Sequence, residues 1–276
     1  MPLKGRGIAV DEVVLDLEDS VPAAAKDEAR EALIDALAER DWAPRTVAVR
    51  VNAVGTPWFR SDVEELVSRA GERIDAIVVP KVEDAEQLRL VGTALDELER
   101  HAHTVRPIAL EALIETALGL RGIDTIAAAT PRLETLILGP ADLAASLGLP
   151  HEDPEARDEA LGFARSTLLV AARAAGITAI DGPYLRVDDE PGLRRSAERA
   201  WALGYDGKWA IHPRQVEPLT ERFTPAEVEV ERARAVLAAL GDATRGAVAL
   251  DGEMVDEASR KRAEAILARA GLSVGS

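Results

Sequence analysis

Charged side chains follow most of the predicted β-strands of this sequence, where a parallel sheet gathers its functional groups. These residues are Asp16, Glu18, Asp19, Arg50, Asn52, Lys81, Glu115, Asp142, Asp181 and His212. Residues two apart in a strand share a face, so we expect Asp16 beside Glu18 and Arg50 beside Asn52. For any single residue an internal salt-bridge network is an open alternative, because buried carboxylates require partners. A polar group at the end of every predicted strand favours a catalytic site.

The strands that must position these residues alternate with amphipathic helical segments, which is the pattern of βα units around a parallel sheet. Seven strands are predicted, beginning at Val13, Thr46, Ala76, Pro107, Leu133, Ile177 and Gly207. Helices are predicted from Ala23 and from Glu155, and Gly176 should cap the second of them. We therefore predict an α/β fold, a TIM-type (β/α) barrel that is one strand short of the usual eight.

The alternation stops after the seventh strand, and the rest of the chain is predicted to be an extension. Residues 224–227, TPAE, are typical of a capping box with proline at the first helical position. Asp251-Gly252 between two short apolar runs predicts a hairpin before a final helix. We expect a barrel domain over 1–222 and a helix-hairpin-helix over 223–276. The extension is expected to be too small for its own core and to pack on the barrel or on a neighbouring subunit.

Composition narrows the class of partner and of metal. The 276 residues carry a net charge of −16, so neither nucleic acid nor a membrane surface is an expected partner. No apolar stretch approaches the roughly 18 residues that cross a bilayer, and no signal-peptide pattern is present, so we expect a cytoplasmic protein. The sequence has no cysteine. Carboxylates would therefore be the main metal ligands, which points to a hard cation.

The four histidines give a weaker signal than the carboxylates. His101, His103 and His151 lack the spacing of a metal motif and are predicted to face solvent. His212 follows the last predicted strand and precedes Pro213, where a structural hydrogen-bonding role is as plausible as a ligand role.

Several strings resemble the citrate lyase β-subunit-like CoA-ester lyases of the HpcH/HpaI aldolase family. The strings are VVLDLEDSV, VRVN with Gly55-Thr56 and Trp58 downstream, VVPKVE, LIETALG, GPADLAASLG and GAVALDGEMVD. Two more, AIDGPY and GYDGKWAIHP, are more similar to the malyl-CoA and β-methylmalyl-CoA lyase branch. The resemblance runs from about Lys4 to the end and implies a barrel of the phosphoenolpyruvate/pyruvate-domain kind.

The resemblance implies that Glu115, in IET, and Asp142, in GPAD, bind Mg²⁺. Physical chemistry agrees, because magnesium prefers oxygen ligands and commonly takes one or two carboxylates. Arg50 matches the active-site arginine of the family, and its planar cation suits a substrate carboxylate or a developing enolate. Glu18 and Asp19 are implied to take part in catalysis.

Other residues are implied by the resemblance to bind substrate or to act from the tail. Lys4, Pro140 and Ala141 are expected to contact the CoA ester. Asp256, in MVD, matches a tail aspartate that enters the active site of an adjacent subunit and serves acid/base chemistry. An ordinary helix N-cap is the alternative for Asp256, because a predicted helix begins there.

The activity implied is that of a Mg²⁺-dependent carbon–carbon lyase. It would cleave a 3-hydroxyacyl-CoA such as malyl-CoA to acetyl-CoA or propionyl-CoA and the 2-oxo acid glyoxylate. In the reverse direction it would condense these two products. Alternatives are a malyl-CoA thioesterase, a citrate lyase β-type subunit and a non-catalytic CoA-ester-binding scaffold. Retention of the four motif residues Arg50, Glu115, Asp142 and Asp256 argues against the scaffold. A homo-oligomer, trimer or hexamer, is expected, with sites completed by a neighbouring subunit.

One element of the family pattern is missing. Family members begin with a strand of the type RSxLFVPG and a helix, and this sequence starts about where that helix should end. We expect unpaired backbone groups on the strands at Val13 and Lys208. The barrel should then be open or patched, less stable and weaker for CoA esters than longer relatives.

Overall fold

The structure is a computed structural model that describes residues 7–39, 42–102, 106–150, 153–241 and 247–272. The chain divides into two compact units, Met1–Leu219 and Thr220–Ser276. In the described part of the chain, no helix is long and apolar enough to cross a membrane.

Seven parallel strands in chain order form the sheet of the first unit. They are β1 Glu12–Asp16, β2 Thr46–Arg50, β3 Ala76–Val79, β4 Ala109–Ile114, β5 Leu133–Leu138, β6 Thr178–Asp181 and β7 Gly207–Lys208. Each strand pairs with the next, and the register places Asp16 opposite Arg50. Among the described residues no pairing joins β7 to β1, so the sheet is a curled half-barrel. The predicted α/β fold and the count of seven strands are confirmed.

Helices connect the strands, and one more helix follows β7. They are α1 Lys26–Ala38, α2 Phe59–Ala70, α3 Ala85–Ala102, α4 Ala117–Arg121, α5 Ile123–Ala127, α6 Pro140–Ser146, α7 Pro154–Ala160, α8 Gly162–Ala175, α9 Glu190–Leu203 and α10 Val216–Phe223. The continuous helix predicted from Glu155 is wrong, because α7 and α8 are separate. The chain leaves helical geometry at Leu161, which is followed by Gly162, a poor helix former. The predicted cap at Gly176 is confirmed, with φ of 73°.

Each of the seven strands ends earlier than its predicted segment, and β5 and β7 show the effect on two candidate site residues. β5 ends at Leu138, because Pro140 occupies the first turn of α6, where its fixed φ favours a helix start. Asp142 therefore lies in the first turn of a helix and not at the end of a strand. β7 contains only Gly207 and Lys208, so His212 lies beyond the end of the strand.

The interior of the sheet is built by alternate residues of the strands. A buried apolar cluster contains Ala48, Ala76, Val78, Leu113 and Ile137, with Val14, Ala109, Ile180 and Trp209 packed against it. Side chains alternate between the two faces of a strand, so Asp16, Arg50 and Glu115 continue these interior rows at the carboxyl ends of the strands. The same rows place Glu12 and Glu111 toward the amino ends.

Glu12 and Glu111 form a carboxyl pair inside the sheet. Burial raises the pKa of Glu12 to about 7, although its hydrogen bond with Glu111 opposes the shift. Burial, together with the charge of Glu12, raises the pKa of Glu111 well above its usual value. Two neighbouring carboxyls in an apolar interior favour a state in which they share a proton.

The second unit contains a helix, a hairpin and a helix, as predicted. The elements are α11 Glu227–Gly241, β8 Ala247–Leu250, β9 Glu253–Asp256 and α12 Glu257–Arg269. The turn residues Asp251 and Gly252 have φ of 50° and 84°. Positive φ at both central residues is the geometry of a two-residue type I′ turn, so the predicted hairpin is confirmed.

Two expectations for this unit are wrong. It has a small core of its own, because α11 and α12 pack together and β9 adds Val255. The helix also begins two residues later than the capping box over 224–227 predicts. α11 begins at Glu227, and the Ala226 N–H donates to the Glu229 carboxylate at 2.9 Å. This carboxylate satisfies one of the free N–H groups at the helix start.

Candidate active site

An arginine and two carboxylates meet at the carboxyl ends of β1 and β2. Arg50 donates from Nε and Nη2 to the two carboxylate oxygens of Asp16, both at 2.7 Å. Its Nη1 lies 2.9 Å from Oε2 of Glu18, which is only 4% exposed. Burial alone would raise the pKa of Asp16, but the hydrogen bonds from Arg50 lower it below its usual range. The bidentate contact fixes the plane of the guanidinium.

Lys81 joins the same group from the end of β3. Its Nζ donates to Oε1 of Glu18 at 2.5 Å and to Oδ1 of Asp19 at 3.3 Å. Burial would lower its pKa, but Glu18 and the neighbouring carboxylates raise it above the usual lysine value. Lys81 is therefore a permanent cation here and not a nucleophile.

Glu115 lies directly after β4 and is 2% exposed. The Lys81 backbone N–H donates to its Oε1 at 2.9 Å. On its other side the carboxylate covers Gly139, where a Cβ would lie 2.5 Å from Oε2 of Glu115. Any side chain at Gly139 would displace the Glu115 carboxylate, which explains the glycine of the GPAD string.

The carboxylates of Glu115 and Asp142 are close enough to repel each other. Burial, followed by the charges of Asp142 and Glu18, raises the pKa of Glu115 to about 8. A divalent cation between the two carboxylates would reverse this repulsion. Within the described residues no three or more histidine or acidic side chains are arranged to hold a metal. A cation bound by Glu115 and Asp142 could take its remaining oxygens from water and substrate, which suits Mg²⁺.

The helix α6 brings Asp142 to this site. Its Pro140 is buried, and a Cβ on Gly182 would lie 2.2 Å from the Pro140 ring. Gly182 follows β6, so the absence of a side chain there lets α6 approach the sheet. Ala141 is exposed.

Two residues predicted for this site lie elsewhere. Asn52 does not accompany Arg50, because β2 ends at Arg50 and the alternation of faces ends with it. The Asn52 amide donates instead to buried Asp62 of α2 at 2.6 Å, and Asp62 also accepts from Arg30. Asp181 is fully buried on the helix-facing side of β6, where it pairs with Arg165 and Lys208. For both residues the internal network is the correct interpretation.

The remaining predictions concern histidines, the first lysine and the tail. His212 accepts a hydrogen bond from the Arg214 N–H, which is the structural role. His101 is exposed, as predicted. Lys4, His103 and His151 lie outside the described residues.

Asp256 accepts from the Ser259 N–H at 3.1 Å, so it is the N-cap of α12. This contact lowers the pKa of Asp256 and is compatible with a further role.

One supporting residue was not predicted from the sequence. Lys26, which is 7% exposed, donates from Nζ to the backbone oxygens of Leu17 and Glu18 at 2.8 and 2.7 Å. Its ammonium also lies 5.5 Å from the centre of the Trp58 ring. These contacts fix the loop that carries Glu18. Nothing in the helical pattern distinguishes this lysine from one on the surface.

Comparison with known proteins gives consistent results. The family model HpcH/HpaI aldolase/citrate lyase matches residues 4–213. The L-malyl-CoA/β-methylmalyl-CoA lyase of Cereibacter sphaeroides is 38% identical over 95% of this chain and 88% of that protein. The citrate lyase subunit β of Leuconostoc mesenteroides subsp. cremoris is 34% identical over 96% of this chain and 87% of that protein. The crystal structure of CitE from Mycobacterium tuberculosis with magnesium, acetoacetate and coenzyme A has a TM-score of 0.75 and 37% identity, covering 95% and 91% of the two chains.

Proposed function

Because this chain belongs to the HpcH/HpaI aldolase/citrate lyase family, we propose that it is a Mg²⁺-dependent carbon–carbon lyase acting on a CoA ester such as malyl-CoA. The family predicted from the sequence motifs is confirmed. The observation that carries the proposal is the pair Glu115 and Asp142 at the carboxyl end of the sheet, with Arg50 held beside them. The identity to a malyl-CoA lyase supports the choice of ester.

Glu115 and Asp142 would hold the metal. When bound, Mg²⁺ polarises the hydroxyl and carbonyl oxygens of the substrate as a Lewis acid. Arg50 is kept in one orientation by Asp16 and Glu18. Burial would lower its pKa, but the neighbouring carboxylates keep the pKa above the usual value. This fixed cation can stabilise the negative charge that develops on the thioester oxygen.

Cleavage of a 3-hydroxyacyl-CoA requires two proton transfers. A base accepts the proton of the hydroxyl group, and the electrons of the carbon–carbon bond move to the thioester, which becomes an enolate. The enolate then accepts a proton at carbon, so a 2-oxo acid and a shorter acyl-CoA leave. We assign Asp256 to this acid/base chemistry on the basis of its position in the MVD string. Glu18 and Asp19 are assigned to positioning Arg50 and Lys81.

The direct test is an assay in the condensation direction. Purified protein with acetyl-CoA, glyoxylate and Mg²⁺ should form malyl-CoA, and a chelator should abolish the reaction because the carboxylate pair loses its cation. Chromatography would follow malyl-CoA and free CoA together, with propionyl-CoA as the second acyl donor. Release of free CoA from malyl-CoA without glyoxylate would favour the thioesterase. Activity only with an acyl-carrier protein would favour the citrate lyase subunit.

We further propose an oligomer, a trimer or a hexamer, in which Asp256 acts in the site of a neighbouring copy. Asp256→Ala and Glu115→Gln proteins should each be inactive alone. After subunit exchange, an equal mixture should recover about a quarter of the wild-type rate, because a productive site needs one intact residue from each copy.

The matched control for this mixture combines Glu115→Gln with Asp142→Asn. Both changes affect the same group of side chains in one chain, so this second mixture should recover almost nothing. Equal recovery in both mixtures, or none in the first after exchange is verified by mass spectrometry, would exclude the shared site. A cytoplasmic location is part of the proposal and fits a CoA-ester substrate.

A further inference from the structure

Lys81 has an unusual backbone conformation. Its φ is 52°, and in the described part of the chain the only other non-glycine residue with positive φ is Asp251. A residue with a Cβ is strained in this left-handed region, so surrounding contacts must hold it there. Lys81 is not in a hairpin turn that would require this conformation. It follows Pro80 at the end of β3.

The strained conformation directs the Lys81 N–H toward a functional side chain. This N–H donates to Oε1 of Glu115 at 2.9 Å. Gly139 lies against Oε2 on the other side. The Glu115 carboxylate is therefore held between the Lys81 N–H and the backbone of Gly139, which has no side chain. A flip of the Pro80–Lys81 peptide, which changes ψ of Pro80 and brings φ of Lys81 to negative values, would turn the N–H away and leave one side of the carboxylate free.

The side chain of Lys81 supplies the contacts that can hold the strain. Its Nζ bonds to Glu18, whose side chain is 5% exposed, and to the more exposed Asp19. Glu18 is itself held by Arg50. An unbroken series of contacts thus runs across the ends of four adjacent strands, from Glu18 and Arg50 through Lys81 to Glu115.

We propose that the ion pairs of Lys81 with Glu18 and Asp19 hold its left-handed backbone, and that Lys81 is thereby a positioning residue for the Glu115 carboxylate. The inference builds on the proposed function, because it assigns Glu115 to Mg²⁺. It adds a role for a backbone amide that no motif identifies. Lys81 acts through Glu115 and does not touch the metal or the substrate in this role.

The test separates the backbone from the side chain by comparing Lys81→Gly with Lys81→Ala. Neither variant has the ammonium, but glycine adopts positive φ without strain, whereas alanine does not. Calorimetric titration with Mg²⁺ in the absence of substrate should show Lys81→Gly within about twofold of wild type. Lys81→Ala should bind roughly fivefold more weakly, the factor expected when a left-handed residue is no longer held. Lys81→Arg should retain the wild-type affinity, because it restores the cation.

Asp251 provides the matched control, since it has a similar positive φ of 50° in the hairpin turn. Asp251→Gly and Asp251→Ala should differ in thermal stability, as the Lys81 pair does, but not in Mg²⁺ affinity. At saturating Mg²⁺ the Lys81→Gly and Lys81→Ala proteins should have the same turnover, because their difference acts only through the metal.

Equal Mg²⁺ affinity in Lys81→Gly and Lys81→Ala would overturn the inference, whether both match wild type or both are weak. A wild-type protein that binds no Mg²⁺ would overturn it as well. The protein could show the expected order of Mg²⁺ affinities and yet neither cleave nor form malyl-CoA. This result would support the role of Lys81 and reject only the proposed substrate.

Discussion

Replacing Glu115 with Gln is expected to reduce Mg²⁺-dependent turnover about a thousandfold, and Asp142→Asn should do the same. Each change removes one anionic ligand of a two-carboxylate site and keeps the shape of the side chain. Burial, followed by the charges of Asp142 and Glu18, disfavours the ionised Glu115 and raises its pKa, so a neutral amide removes that cost. The folded protein should therefore be at least as stable as wild type while its Mg²⁺ affinity falls. Calorimetry and the malyl-CoA assay measure the two effects.

Glu111→Gln is the control for this prediction. Glu111 lies within β4, four residues before Glu115 and on the same interior row, and is also buried. The chemical change is identical, but the site is at the other end of the strand, so Mg²⁺ affinity should be unchanged. Full activity of either Glu115→Gln or Asp142→Asn would show that the metal is held elsewhere.

Asp181→Asn is expected to cost about 3 to 5 kcal/mol of the free energy of unfolding, because it leaves buried Lys208 without its carboxylate and removes one of the two carboxylates that pair with buried Arg165. Asp181 and the side chains of Lys208 and Arg165 are 0%, 1% and 4% exposed. Lys208 also donates to the backbone of Gly182, and Gly182 packs against Pro140 at the start of α6. Denaturant unfolding followed by tryptophan fluorescence gives the free energy.

The exposed pair of Arg60 and Glu64 provides a control. These side chains are 85% and 46% exposed, and Glu64→Gln makes the same change from carboxylate to amide. An exposed helix pair of this spacing contributes only about 0.5 kcal/mol or less. A loss below 1 kcal/mol for Asp181→Asn would mean that water or a rearranged neighbour compensates the two cations.

The two proposed Mg²⁺ ligands could be predicted from the sequence mainly through short motifs. Glu115 and Asp142 stand at fixed places in IET and GPAD, and Gly139 shows why the second string begins with glycine. The electrostatic repulsion between the two carboxylates could not be predicted from the sequence, because it depends on how closely α6 approaches β4. The contact that permits this approach is between Gly139 and Glu115, which are 24 positions apart in the chain.

The partners of the strand-end charges could not be assigned from the sequence. Arg50 and Asp16 are separated by 34 residues, and Lys81 and Glu18 by 63. A period of two predicts which face a side chain occupies only while the strand continues. Asn52 lies beyond the end of β2 and bonds to a helix instead.

The sequence alone determined the α/β class, the seven strands, the hairpin and the residue types of the site, because these follow from local periodicity, turn chemistry and motifs. The tertiary structure decided which charges meet. It separated Asp181 and Asn52 from the site, joined Glu18 to Lys81, and placed the Lys81 N–H on Glu115. The physical reason is that a charged side chain at a strand end pairs with whichever partner the packing of distant elements brings within hydrogen-bonding distance. That packing cannot be predicted from the local sequence.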